Sequence, residues 1–165
     1  MEYVELHRHP KVKRPVMLAA WPGVSDVALE VAAYLIEKMK AIWIGDIQPS
    51  DFFTPVGIQV HRNVVQVPVF PKNNFYLIKT PPRRSDIIIF AGEAQPDRNH
   101  YALARAVLDV AEHFKVKRVY TCAAAMVQHS VHKSRVLAAA TDSKLINSLK
   151  QYDITLVGDF QIRGL

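Results

Sequence analysis

The stretch of the sequence most loaded with chemistry is Gly92-Glu93-Ala94-Gln95-Pro96, where a carboxylate and an amide follow directly on an apolar run. Emerging together from the end of a strand, Glu93 and Gln95 are placed as a general base and an orienting group would be. A plainer reading has equal weight: both side chains tie down the loop that opens the next helix. A second constellation is His129, His132 and Arg135, with His132 and Arg135 as candidate clamps for an anion or substrate. Zinc would need a further ligand of recognisable spacing, which the chain does not supply, so no metal is expected and the stretch reads first as a polar loop. Trp21 and Gly23 stand where a strand turns into a helix, a place where free backbone amides can hold an anion. Asp26 follows at once and would repel a phosphate, which favours a plain turn. Cys122, the single cysteine, lies in the apolar run Val119-Tyr120-Thr121-Cys122-Ala123, reads as a packing residue and excludes an internal disulfide. No complete catalytic set emerges, so catalytic residues are left unassigned and no cofactor is expected.

These residues need elements to hold them. Pro15 to Trp21 reads as a buried strand ending at Pro22-Gly23. Val24, Val27, Ala28, Val31, Ala32, Leu35, Ile36 and Met39 recur at helical steps, which predicts one helix over 24–40 burying that face, with a strand over 41–45 behind it. Strand, helix, strand in this order predicts a right-handed parallel pair. The β-prone pieces at 57–61, 63–66 and 75–79, broken by Pro68 and Pro71, read as an antiparallel elaboration. Asp86 to Ala91 is an almost unbroken apolar run of the kind covered on both faces. Leu103, Val107, Val110, Ala111 and Phe114 then share a helical face, with Asp97 or Asn99 available as cap. A strand over 117–122, a short helix over 142–150 and a strand from 153 to 158 complete the pattern. The class is α/β: three layers, a mainly parallel sheet with helices on both faces. Ligands in such sheets gather at the carboxyl ends of the strands, where Trp21, Gly23, Gly92, Glu93 and Gln95 fall.

With 165 residues and half of them hydrophobic, the chain can build one domain core over 1–165, residues 1–14 forming an arm. No apolar run is long enough for a bilayer and the first residues do not resemble a signal peptide, so the expected place is the cytoplasm. The net charge of +6 is concentrated partly in Arg8, Lys11, Lys13 and Arg14 and partly in Lys79, Arg83 and Arg84. These clusters sit beside prolines without interleaved aromatics, which points to a solvated rim or an acidic partner and away from nucleic acid.

Several stretches together resemble the proteasome assembly chaperone two (PAC2) family: Ala20-Trp21-Pro22-Gly23, Asp51-Phe52-Phe53, Phe70-Pro71 with Asn74-Phe75, Gly92 to Pro96, Tyr101 to Ala111, Val116 to Thr121 and Ala138 to Asp142. The resemblance runs from about Val16 to the last residue. It implies a fold of the phosphorylase and hydrolase group, homo-oligomers (trimers or dimers), and a non-catalytic assembly or interaction module with partners such as proteasome subunits. The alternative is an enzyme or binding protein for a nucleoside-like or small anionic ligand. Two departures matter. Where the family has Gly-Met-Gly-Asn after Trp-Pro, this chain has Gly23-Val24-Ser25-Asp26, without the second glycine. It also stops at Arg163-Gly164-Leu165, which lacks the hydrophobic-tyrosine-any tail used for ring docking, so a shortened form is expected, with another subunit covering 157–165. The ATP-grasp label sometimes given to the family finds neither a phosphate loop nor a lysine and carboxylate set for ATP and magnesium.

Overall fold

The computed structural model describes residues 1–55, 57, 58, 60–125, 135–156 and 158. They fall into two compact units, Met1–Ala125 and a smaller one within Met126–Gly164.

The larger unit is built on a six-stranded sheet of β1 (Val4–Leu6), β2 (Val16–Ala20), β3 (Ile42–Ile47), β6 (Asn73–Ile78), β7 (Ile87–Gly92) and β8 (Val119–Tyr120). A two-stranded antiparallel ribbon, β4 (Val60–His61) and β5 (Val64–Val65), stands apart from it. The strands lie in the order β1-β3-β6-β7-β2-β8. β2 runs parallel to both β7 and β8. The other three neighbouring pairs, β1 with β3, β3 with β6 and β6 with β7, are antiparallel. The sheet is therefore mixed, which corrects the expectation of a mainly parallel one. Strand Asn73–Ile78 belongs to the sheet and inserts between β3 and β7, so β2 and β3 are not the adjacent pair that the strand-helix-strand order predicts. The reason is connection length: between Ile78 and Ile87 the chain is too short for a crossover of a dozen or more residues and must reverse.

Alternation along the central strands separates two cores. Phe75, Leu77, Ile88 and Phe90 face one way with Met17 and Ala19, where α2 (His100–His113) lays down Leu103, Ala106, Val107 and Val110. Ile78, Ile89 and Ala20 face the other way, against Ala28 and Ala32 of α1 (Val27–Lys38). Each large apolar side chain so buried contributes roughly 1.5–3 kcal/mol. The α2 face matches the periodicity reading. The α1 face does not: Val24, Val27, Val31 and Met39 are exposed, and the small Ala28 and Ala32 make the close approach, with Leu29, Leu35 and Ile36 half-buried beside them. Apolar residues cover more of this helix than one sheet face can accept. Residues Val24–Asp26 form a separate 3-10 turn, so the helix starts three residues later than the pattern predicts.

The expected cap of α2 is also corrected. Asn99 occupies the cap position at φ 54° without capping, and its Nδ2 donates to the Asp51 carbonyl at 3.0 Å. The Asp97 carboxylate accepts from Thr54 N at 2.9 Å. Both side chains hold the 51–54 loop in place of the helix end.

In the smaller unit, β9 (Leu137–Ala138) pairs in parallel with β10 (Thr155–Leu156). Between them lies α3 (Ser143–Leu149), where Asp142 accepts from Lys144 N at 2.7 Å as an N-cap should. No helix among the described residues is long and apolar enough to cross a membrane.

Candidate functional site

Because β6 runs against its neighbours, its amino end meets the carboxyl ends of β3 and β7, with Asn73 opposite Gly92 and Asn74 opposite Asp46. β2 delivers Trp21 to the same edge, since Ala20 pairs with Ala91. Trp21 packs its ring on Phe90, centroids 4.7 Å apart. Gly92 is the residue that lets Trp21 and Asn73 approach. A Cβ there would lie 3.0 Å from Trp21 Cδ1 and 3.1 Å from both Trp21 Nε1 and Asn73 Oδ1. Trp21 Nε1 and both polar atoms of the Asn73 amide are buried without a hydrogen-bond partner among the described residues. Buried polar groups ordinarily find partners, which sets these three atoms apart at an edge whose other polar side chains hold loops.

The loop after β7 is held by its own side chains. Glu93 N donates to Lys72 O at 2.8 Å, and Lys72 N donates back to the Glu93 carboxylate at 2.9 Å. Gln95 Nε2 donates to Pro22 O at 2.8 Å and links this loop to the turn after β2. Gly23 N donates to the Asp26 carboxylate at 3.2 Å, so the anion at this helix start is the chain's own. Ser25 and its neighbour Asp26 both adopt left-handed backbone, at φ 54° and 47°.

Two shallow depressions open at this edge. One of about 460 Å³ is lined by Phe53, Phe70, Ala94 and Gln95 among others, and one of about 250 Å³ by Asp46, Pro71 and Asn73. Trp21, Gly92 and Glu93 line neither. Arg135 is exposed in the smaller unit, and His129 and His132 lie outside the described residues, so the anion clamp is not among the contacts described. Cys122 is half-buried and packs with the α1-side core; burial pushes its thiol pKa up. Asn73 is the site residue that sequence reasoning passed over. Its signal was modest: an asparagine pair, Asn73-Asn74, at the head of a β-prone run, where asparagine is disfavoured.

The fold and edge so described define an α/β domain whose loops are fastened by their own polar groups. The sequence model of the PAC2 family matches residues 17–164, and the chain belongs to that family. No curated protein matches it. Among solved structures it is similar to PbaB of Pyrococcus furiosus, described as an archaeal proteasome activator: TM-score 0.78, 24% identity, covering 99% of this chain and 72% of that one. PbaA of the same organism, described as an archaeal homolog of proteasome-assembly chaperone, superposes at TM-score 0.72 and 16% identity, over 98% of this chain and 63% of that one. A PAC2 family protein of Streptomyces avermitilis gives TM-score 0.69 and 16% identity, over 91% and 66%. The chain spans about two thirds of the length of these relatives.

Proposed function

We propose that this chain is a non-catalytic assembly or protein-interaction module that works with proteasome subunits and self-associates, as a trimer or dimer, in the cytoplasm. The observation that carries it is membership of the PAC2 family together with similarity over nearly the whole chain to PbaB and PbaA. The site geometry supports it: the groups that would act in catalysis at the strand ends are occupied in holding loops, Glu93 by Lys72 N and the Gly23 amide by Asp26. We read residues 1–165 as one family domain, with the layering of the phosphorylase and hydrolase group; helices on opposite faces of the sheet support this. Sedimentation velocity and co-elution with purified proteasome α and β subunits test the proposal. A strict monomer at micromolar concentration that co-elutes with neither would overturn it.

The ligand reading keeps Trp21, Gly23, Gly92, Glu93, Gln95, His132 and Arg135 as contacts for a nucleoside-like or small anionic compound. The buried amide of Asn73 and the Trp21 indole N–H are what favour it. A thermal-shift screen with nucleosides, nucleotides and phosphate decides this, and no stabilisation by any of them would sink it.

A further inference from the structure

Charge is distributed unevenly between the two ends of the sheet. The carboxyl end carries Asp26, Asp46, Asp51, Glu93 and Asp97 against Lys72 and Arg98. The opposite end gathers cations from three separate segments: Lys11 and Arg14 from the arm before β2, Arg83 and Arg84 from the turn between β6 and β7, and Lys117 and Arg118 from the approach to β8. Backbone contacts fix these segments side by side. Lys117 N donates to Pro15 O at 2.9 Å, Met17 N to Arg118 O at 2.9 Å, and Asp86 N to Lys13 O at 3.2 Å. The Arg14 side chain donates to Arg83 O at 2.9 Å, so one cation is pinned against the turn that carries two more.

All six side chains are exposed, and among the described residues none forms an ion pair. Nearby acids are already engaged: Asp86 is buried against Lys79 at 2.6 Å, and Glu112 is held by Arg105 at 2.8 Å. Glu37, near the end of α1, is outnumbered by Lys38 and Lys40. Pro10, Pro15, Pro81 and Pro82 stiffen the segments, which lowers the ordering cost of binding.

We infer that this basic end is a docking surface for a protein partner that presents clustered carboxylates. Exposed guanidinium groups on segments held side by side suit carboxylates through paired hydrogen bonds and steer an acidic partner from a distance. Nucleic acid fits less well. The cations sit on turns, with no helix to enter a groove, and no aromatic alternates with them to stack a base. This deepens the reading of the chain as an interaction module and rests on it.

The test measures anisotropy of a labelled oligoglutamate peptide and, in parallel, of a DNA duplex, at about 50 mM and about 200 mM salt. Expected is peptide binding that weakens with salt and falls at least about tenfold in Arg83→Gln/Arg84→Gln/Arg118→Gln, whose replaced side chains make no described hydrogen bond. A control of equal net charge in the larger unit away from this end, Arg62→Gln/Lys72→Gln/Arg98→Gln, should change affinity by less than about twofold. Equal loss in both variants, absence of peptide binding, or tighter binding of the duplex overturns the inference. If the triple variant melts early, single Arg84→Gln and Arg118→Gln variants carry the comparison. Co-elution with proteasome subunits, measured alongside, separates the two failures: retained co-elution without peptide binding removes this surface alone, and lost co-elution with peptide binding intact removes the module reading.

Discussion

Trp21, Asn73 and Gly92 meet so closely that the middle one of the three contacts has to be a glycine, and this makes a sharp residue-scale expectation. In Gly92→Ala the added methyl meets the indole and the Asn73 carbonyl at about van der Waals overlap. Thermal unfolding should show a loss of about 1–3 kcal/mol, since neither neighbour is a flexible chain end. A melting temperature unchanged from the parent would mean that the indole moves freely and that the junction is loose. Cys122 supplies a second expectation. Burial raises its thiol pKa, so less thiolate is present at a given pH, and alkylation by iodoacetamide at neutral pH should be slower than for a free cysteine. Reaction at the free rate would show an exposed thiol and remove the packing role. At this scale the sequence was readable wherever the residue type is rare in its setting. Glu93 and Gln95 stood out after an apolar run, and both fasten the loop that bears them. Asn73 did not, because its burial depends on Gly92 of a different strand.

Elements were legible where their pattern is local and obscure where a partner decides. The α2 stripe and the short helix after Asp142 were visible in spacing alone. Strand order was not, because Phe75 to Ile78 looks the same on a peripheral hairpin as in the middle of a sheet; the short link to Ile87 was the available clue. β1 was hidden in the arm by its three-residue length. The turn into α1 joins sequence to geometry more directly. Ser25 takes φ 54°, which strains any residue with a Cβ. Ser25→Gly should therefore raise stability by about 0.5–1 kcal/mol, the relief of strain exceeding the added freedom of the unfolded chain. Denaturant titration would check it, and a loss of stability would mean that this turn is not left-handed in solution.

Over the whole molecule, one buried carboxylate ties together segments that are far apart in sequence. Asp86 is fully buried and accepts from Lys79 Nζ at 2.6 Å, Lys13 N at 3.0 Å and Thr80 N at 3.0 Å. Lys79 and Lys13 in turn donate to carbonyls of the arm and the β6–β7 turn. Burial alone would raise the Asp86 pKa; the Lys79 hydrogen bond, the two backbone N–H groups and the Lys79 charge outweigh it and hold the carboxyl below its ordinary value of 3.8. The sign follows from that direction. A carboxylate whose pKa is depressed by folding stabilises the fold fully above the unfolded value, and the contribution is lost as pH falls through the folded value. Stability should thus be steady from neutral pH to about pH 5 and decline below about pH 4. Asp86→Asn keeps the shape but exchanges a charged acceptor for a neutral amide, and should cost about 2–4 kcal/mol at neutral pH. Its decisive mark is the pH profile. The variant should lose less on acidification than the parent, so the two melting temperatures converge toward about pH 3. Parallel profiles down to that pH would show that Asp86 carries no linkage, and that the arm is held by its backbone contacts and by the Lys13 and Lys79 bonds to carbonyls.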